Sequence, residues 1–193
     1  MRPMISLDLE LEQPRSEEIP DSLTDEERII QVGWVVFDPL EFKVHETVVH
    51  HTDYLHTHGS VSDYIRTLTH ITDEDMRNGI PLEEIYEVLV ECRETYDTSR
   101  IVCQWGSGDM ECLRRELPED TTWEFGHGGL NVKHMYMSYA GVMDMQARGG
   151  LSKSMARLGL SWSGGPKHQA HVDALNTAKV YSHLLNQWRK EKE

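Results

Sequence analysis

Apolar and polar residues alternate from Met4 to Leu11, which places Ile5, Leu7, Leu9 and Leu11 on one side of a strand and Ser6, Asp8 and Glu10 on the other. Ile29 to Phe37, dense in Ile and Val, predicts a second strand. Phe42 to Val49 predicts a third, joined to the second by a turn at Asp38-Pro39. So short a link predicts an antiparallel meander. Between the first two strands, Glu12 to Arg28 carries two prolines and seven acidic residues and reads as an exposed loop or short helix. The apolar spacing then becomes helical over Ser60 to Thr69 and Pro81 to Tyr96, with Pro81 suited to a first-turn position. Arg100 to Gln104 reads as a short buried strand, followed by a helix from about Gly108 to Leu117. Thr121 to Phe125 is another strand candidate, and Asn131 to Tyr139, Leu151 to Leu158 and Ala170 to Trp188 read as helices. A meander followed by alternating helices and strands predicts an α/β domain with a mixed sheet. With 193 residues, one domain over 1–193 accommodates all of it.

Three stretches carry candidate chemistry. Alternation puts Asp8 and Glu10 on the same side of one strand, close enough to share a metal site. The spacing itself is common, since Asp25 with Glu27 and Asp109 with Glu111 share it. The apolar density around Asp8 and Glu10 sets that pair apart, because it fits a central strand rather than a wet edge. In Ile101-Val102-Cys103-Gln104-Trp105-Gly106-Ser107-Gly108-Asp109, a buried strand ends in a glycine-containing turn and an acid opens a helix. Asp is a common helix N-cap, but the carboxyl edge of a strand is also where α/β proteins place ligand groups. Trp105 there reads as core or as a wall of a site. In Pro166-Lys167-His168-Gln169-Ala170-His171-Val172-Asp173-Ala174, His168 sits in the loop before the last helix and Asp173 about one turn inside it. His58 with Asp63 and His70 with Asp75 have the same spacing; the glycine-rich loop and long amphipathic helix single out the third pair.

Composition narrows the class. No apolar run approaches the roughly 20 residues needed to cross a bilayer. The N-terminus lacks a charged leader with an apolar stretch and cleavage site, so a cytoplasmic protein is expected. Cys92, Cys103 and Cys112 show no paired spacing and read as buried free thiols. A net charge of −14 argues against a protein that coats long duplexes, because phosphate neutralisation supplies most non-specific affinity. It is compatible with carboxylates that gather metal ions and a small footprint on a strand end. His45, His50, His51, His56 and His58 lack a zinc-like ligand spacing and read as a polar loop after the third strand, overhanging the site. Met135, Met137, Met143 and Met145 read as packing residues.

Taken in order, the early Asp-x-Glu, the mid-chain Asp after Trp-Gly and the late His-x-Ala-x-x-Asp-Ala resemble the DEDDh 3′–5′ exonuclease superfamily, from Ile5 to about Tyr181. Ile29 to Gly33, Leu68 to Thr72 and Gly150 to Leu160 are similar to it as well. Where many members follow the first Glu with Thr, this chain has Leu11, which removes no metal ligand. The resemblance implies an RNase H-like mixed five-stranded sheet flanked by helices. It implies two Mg²⁺ or Mn²⁺ ions held by Asp8, Glu10, Asp109 and Asp173, as suits all-oxygen ligands. It makes His168 the base that takes a proton from the attacking water. The expected substrate is the 3′ end of single-stranded RNA or DNA, contacted by Leu11, Trp105, Lys153, Arg157 and Lys167. A homodimer is the assembly it suggests. The rival class is a catalytically silent nuclease-like module that binds nucleic acid or protein; such a module is expected to lose at least one of the four acids, and all four have candidates here.

Overall fold

A computed structural model describes residues 2–12, 28–57, 59–126 and 128–190. The acidic stretch expected to form a loop or short helix (residues 13–27) and His58 lie outside the described residues. The chain opens with three strands, β1 (Met4–Glu12), β2 (Arg28–Asp38) and β3 (Lys43–His51). They pair antiparallel in sequence, as the short turn at Pro39 to Phe42 demands. Three small helices follow: α1 (Tyr54–Thr57), α2 (Asp63–Thr69) and α3 (Asp73–Met76). After α4 (Leu82–Thr95), β4 (Val102–Gln104) runs parallel to β1, and β5 (Leu130–Asn131) runs parallel to β4. Helix α5 (Asp109–Glu116) lies between those two strands in sequence, and α6 (Val132–Val142), α7 (Leu151–Arg157) and α8 (Ala170–Lys190) complete the chain. The sheet order β3-β2-β1-β4-β5 makes β1 a central strand, in a mixed five-stranded, RNase H-like arrangement flanked by helices.

Strict alternation on the strands divides the core. Ile5, Leu7 and Leu9 of β1 join Trp34 and Val36 of β2 in one apolar cluster, completed by Ile85 and Leu89 of α4 and Leu113 of α5. Met4, Val35, Phe37 and Cys103 point the other way, against Tyr136 of α6, Met155 of α7 and Ala178 and Leu184 of α8. A third cluster, Ile30, Val61, Ile65, Ile71 and Met76, lies under the short helices. The three cysteines are buried and none is in a disulfide among the described residues.

Four expectations need correction. Thr121–Phe125 is not a strand: the Tyr86 hydroxyl donates to the Thr122 carbonyl (3.0 Å) and accepts from the Glu124 amide (2.8 Å). Trp123 stacks on Tyr86 with 5.6 Å between ring centroids, so an aromatic side chain satisfies backbone groups that a neighbouring strand would otherwise take. The fifth strand is instead the two-residue β5. The histidine-rich stretch is not a loop. His45, His50 and His51 belong to β3, where His45 meets Asp38 at 3.2 Å and His51 meets Gln31 at 2.8 Å. Of the four methionines, Met135 and Met145 pack against the second cluster, but Met137 and Met143 are exposed. Pro81 caps α4 from one position before its first helical residue, with φ −52° and ψ 143°.

Candidate active site

Asp8 and Glu10 lie on β1 beyond the point where β4 stops pairing with it, since the last matched pair is Ser6 with Cys103. Their side chains share a face with Ser6, the face covered by α8. Immediately after Glu10 the β1–β2 register slips: Glu10 pairs with Gln31, but Leu11 pairs with Ile29. The extra β2 residue, Ile30, turns into the third apolar cluster. Such bulges re-aim side chains, and this one separates Glu10 from the chain that follows.

Asp109 arrives from β4 through a turn that needs its glycines. Gly106 and Gly108 have φ of 104° and 127°, a region open to glycine at little cost. The buried Gln104 side chain then accepts from the Met110 amide at 3.1 Å, which satisfies a first-turn donor of α5 and pins the helix beside the strand it left.

Asp173 comes from the first turn of α8, and β2 determines where that turn sits. A Cβ on Gly33, the residue paired with Asp8, would stand 2.1 Å from the His171 nitrogen, so only glycine lets the helix backbone reach the sheet there. Two residues earlier, Gln31 accepts from the Ala170 amide at 2.8 Å, while its own amide meets His51. His168 precedes α8 with φ +60° in the left-handed region, which a histidine rarely adopts and which costs of order 1 kcal/mol or more. That backbone turn leaves its exposed imidazole against the carboxylates: the ligand atoms of Glu10, His168 and Asp173 lie within 4.8 Å of one another.

The electrostatics show how close the acids are. Burial, then the charges of Asp109, Glu10 and Asp173, hold the Asp8 carboxyl well above the usual range. Burial and the charges of Asp173 and Asp109 push Glu10 up to about 8. Burial pushes Asp109 up to about 7. Asp173 is also raised by burial, although the charges of His168 and Lys167 and a backbone hydrogen bond from His168 oppose the rise. Four acids from three elements thus repel one another in a partly dehydrated cleft. One Asp173 carboxylate oxygen is buried with no hydrogen-bond partner among the described residues.

Of the other residues expected around a substrate, Lys167 stands near Asp173, its ammonium on Ser152 Oγ at 2.9 Å and over the Trp162 ring. Trp105 packs partly into the second cluster. Leu11 packs against the first cluster with Leu9. Lys153 is exposed beside Gly149. Arg157 donates to the carbonyls of Gln146 and Arg148 and to the Gln146 side chain, so its charge is committed to holding a turn. Sequence reasoning included Gln31, Gly33 and Gln104 in its motif stretches but gave them no part in positioning the acids. Their signal was a polar residue and a glycine inside an otherwise apolar strand.

The RNase T exonuclease pattern matches residues 5–181, from β1 well into α8. The chain belongs to this exonuclease family. Solved structures share the fold of this RNase T-family chain at low identity. A full-length 3′-exonuclease superposes with a TM-score of 0.72 at 18% identity, covering 96% of this chain. The chain spans 61% of that protein's length. The nuclease domain of 3′hExo, a DEDDh member bound to rAMP, gives 0.69 at 16% identity over 96% of this chain and 92% of its own. Pop2p of S. pombe, in a form with Mg²⁺ and Mn²⁺ bound, gives 0.70 at 18% identity over 97% and 84%. No curated protein matches the chain in sequence. Among the described residues, no helix is long and apolar enough to cross a membrane.

Proposed function

We propose that the chain is a metal-dependent 3′–5′ exonuclease acting on single-stranded RNA or DNA, as one domain over 1–193. The convergence of Asp8, Glu10, Asp109 and Asp173 carries this reading. Four carboxylates raised by burial, two of them also by their acidic neighbours, need cations to be ionised together at neutral pH, and an all-oxygen donor set suits Mg²⁺ or Mn²⁺. The unpartnered Asp173 oxygen is a further ligand atom in waiting. The Mg²⁺ and Mn²⁺ of the Pop2p structure support the same choice. Two such ions supply charge stabilisation at a scissile phosphate and make a bound water more acidic.

The protein's own groups do the rest. Asp8 and Glu10 form the rigid floor, on a central strand. Asp109 and Asp173 close on it from two helix starts held by Gln104 and Gln31. His168, exposed at the rim and within reach of Glu10 and Asp173, accepts a proton from the attacking water. The buried cysteines, none in a disulfide among the described residues, agree with a reducing, cytoplasmic setting.

The test is degradation of 5′-labelled single-stranded RNA and DNA with Mg²⁺ or Mn²⁺, comparing the intact chain with Asp8→Ala and His168→Ala. A ladder that shortens from the 3′ end and disappears in both variants, with unchanged circular dichroism, is expected. A loss of about 10²-fold or more is the scale for removing a proton-transfer group. No cleavage of any strand by the intact chain would leave a silent binding module as the better account.

A further inference from the structure

The chain carries a net charge of −14, but its cavities differ in sign. A cavity of about 580 Å³ beside α4 is lined by Glu83, Glu87, Glu91, Asp120 and Glu124 and by no lysine or arginine. A cavity of about 640 Å³ on the other flank of β4 is the reverse. Lys133, His134 and Arg148 line it with Trp105, Ser107 and Asn131, and among the described residues no carboxylate lines it. Neither Lys133 nor Arg148 forms an ion pair among the described residues. Asn131 caps α6 there by accepting from the His134 amide at 2.9 Å, so the cavity also faces the positive end of an eleven-residue helix. The Trp105 indole N–H is buried without a hydrogen-bond partner among the described residues.

The cavity adjoins the turn that leads to the carboxylate cleft. Its wall at Gly106 and Ser107 is the turn that delivers Asp109, and three residues span at most about 10 Å. Cations here are therefore placed to hold the polyanion whose end would be hydrolysed at the carboxylate cleft. A volume of several hundred Å³ is of the size that takes a small ligand, with an aromatic wall for a base and two unpaired cations for phosphate.

We infer that this cavity, built from Trp105, Lys133, His134 and Arg148, is a subsite for a nucleotide of the single strand upstream of the scissile bond, holding its phosphate. The inference rests on the exonuclease reading and deepens it by locating where the rest of the strand is gripped. It moves that role away from Arg157, whose guanidinium holds the turn that carries Arg148.

Fluorescence anisotropy of a 5′-labelled decanucleotide tests it, with Ca²⁺ replacing Mg²⁺ so that binding is read without turnover. The double variant Lys133→Ala/Arg148→Ala is compared with the intact chain and with Arg2→Ala/Lys43→Ala, a control that removes two charges at the opposite end of the sheet. Thermal melts confirm that each variant is folded. The cavity variant should bind about 10-fold or more weakly. Its plot of log affinity against log salt should flatten by about 1.4, the slope expected for two single-strand phosphate contacts. The control should retain both values. Equal losses in the two double variants, or no loss in either, overturn the subsite. The two readings fail separately: an intact 3′ ladder beside unchanged binding by the cavity variant rejects the subsite alone. A missing ladder rejects the exonuclease, and anisotropy still decides whether the cavity grips a strand.

Discussion

Glu10, pushed up to about 8, and Asp109, pushed up to about 7, retain protons in the metal-free fold that the unfolded chain gives up near 4. The direction of the linkage follows. Between those values the native state binds more protons than the unfolded state, so stability is fully present below about pH 4 and is lost as pH rises towards 8. Bound cations replace those protons, and their hold strengthens as the carboxylates ionise. The melting temperature in EDTA should therefore fall between pH 5.5 and 8.5. Added Mg²⁺ or Mn²⁺ should restore it, with a larger increment at pH 8.5. Asp8→Asn should raise the metal-free melting temperature at the higher pH, since it removes one of the repelling charges. A metal-free profile that is flat over this range, or a metal increment equal at both pH values, would remove the electrostatic case for a cation site. At this scale the sequence was most informative, because alternation on a strand fixes which side chains share a face. It offered Arg157 as a substrate contact from its place near the His168 loop, and could not show that its hydrogen bonds go to backbone carbonyls.

Among the elements, the approach of α8 to β2 is the most demanding contact. Gly33→Ala would bring a methyl group 2.1 Å from the His171 nitrogen and 2.4 Å from the Ala170 carbonyl carbon, both backbone atoms that cannot rotate aside. The helix would have to lift from the sheet, at a cost of about 3 kcal/mol on the scale of overpacked cores. Urea denaturation should show that loss, and exonuclease activity should fall with it because Asp173 rides on the same turn. Gln31→Leu tests the neighbouring contact. It leaves the Ala170 amide buried without its acceptor, a penalty of about 1–3 kcal/mol. A Gly33→Ala chain as stable as the parent would mean the helix has slack that the geometry does not show. Legibility in the sequence follows the same physics. β1, β2, β4 and α8 carry their own periodicity and were readable, as was the meander from its short turn. β5, at two residues, has no period to detect. Thr121–Phe125 has strand-like composition, but the Tyr86 hydroxyl, some 36 residues away, takes its backbone bonds. The grip of Gln31 on α8 spans 139 residues and leaves no local pattern.

For the molecule as a whole, 33 acidic against 19 basic side chains set a net negative field that opposes a nucleic acid strand at long range. On the proposed reading, a strand is held at the cleft, where cations would offset the carboxylates, and at the cavity between Trp105 and Arg148. A strand that extends past that cavity runs over a protein of net charge −14, so affinity should rise with length only until the cavity is filled. Single strands of 3, 5, 10 and 20 nucleotides, measured by anisotropy with Ca²⁺ at one salt concentration, should gain affinity over the first steps. They should then level off by about 10 nucleotides, a behaviour opposite to that of a basic groove that neutralises each added phosphate. Restoring charge should change the outcome: Glu111→Lys/Glu119→Lys, two reversals on and just beyond α5, should add affinity for the 20-nucleotide strand more than for the trinucleotide if that strand runs over α5. A dissociation constant for the intact chain that keeps falling from 10 to 20 nucleotides would show a basic track elsewhere on the surface, and the small-footprint account drawn from the net charge would be wrong.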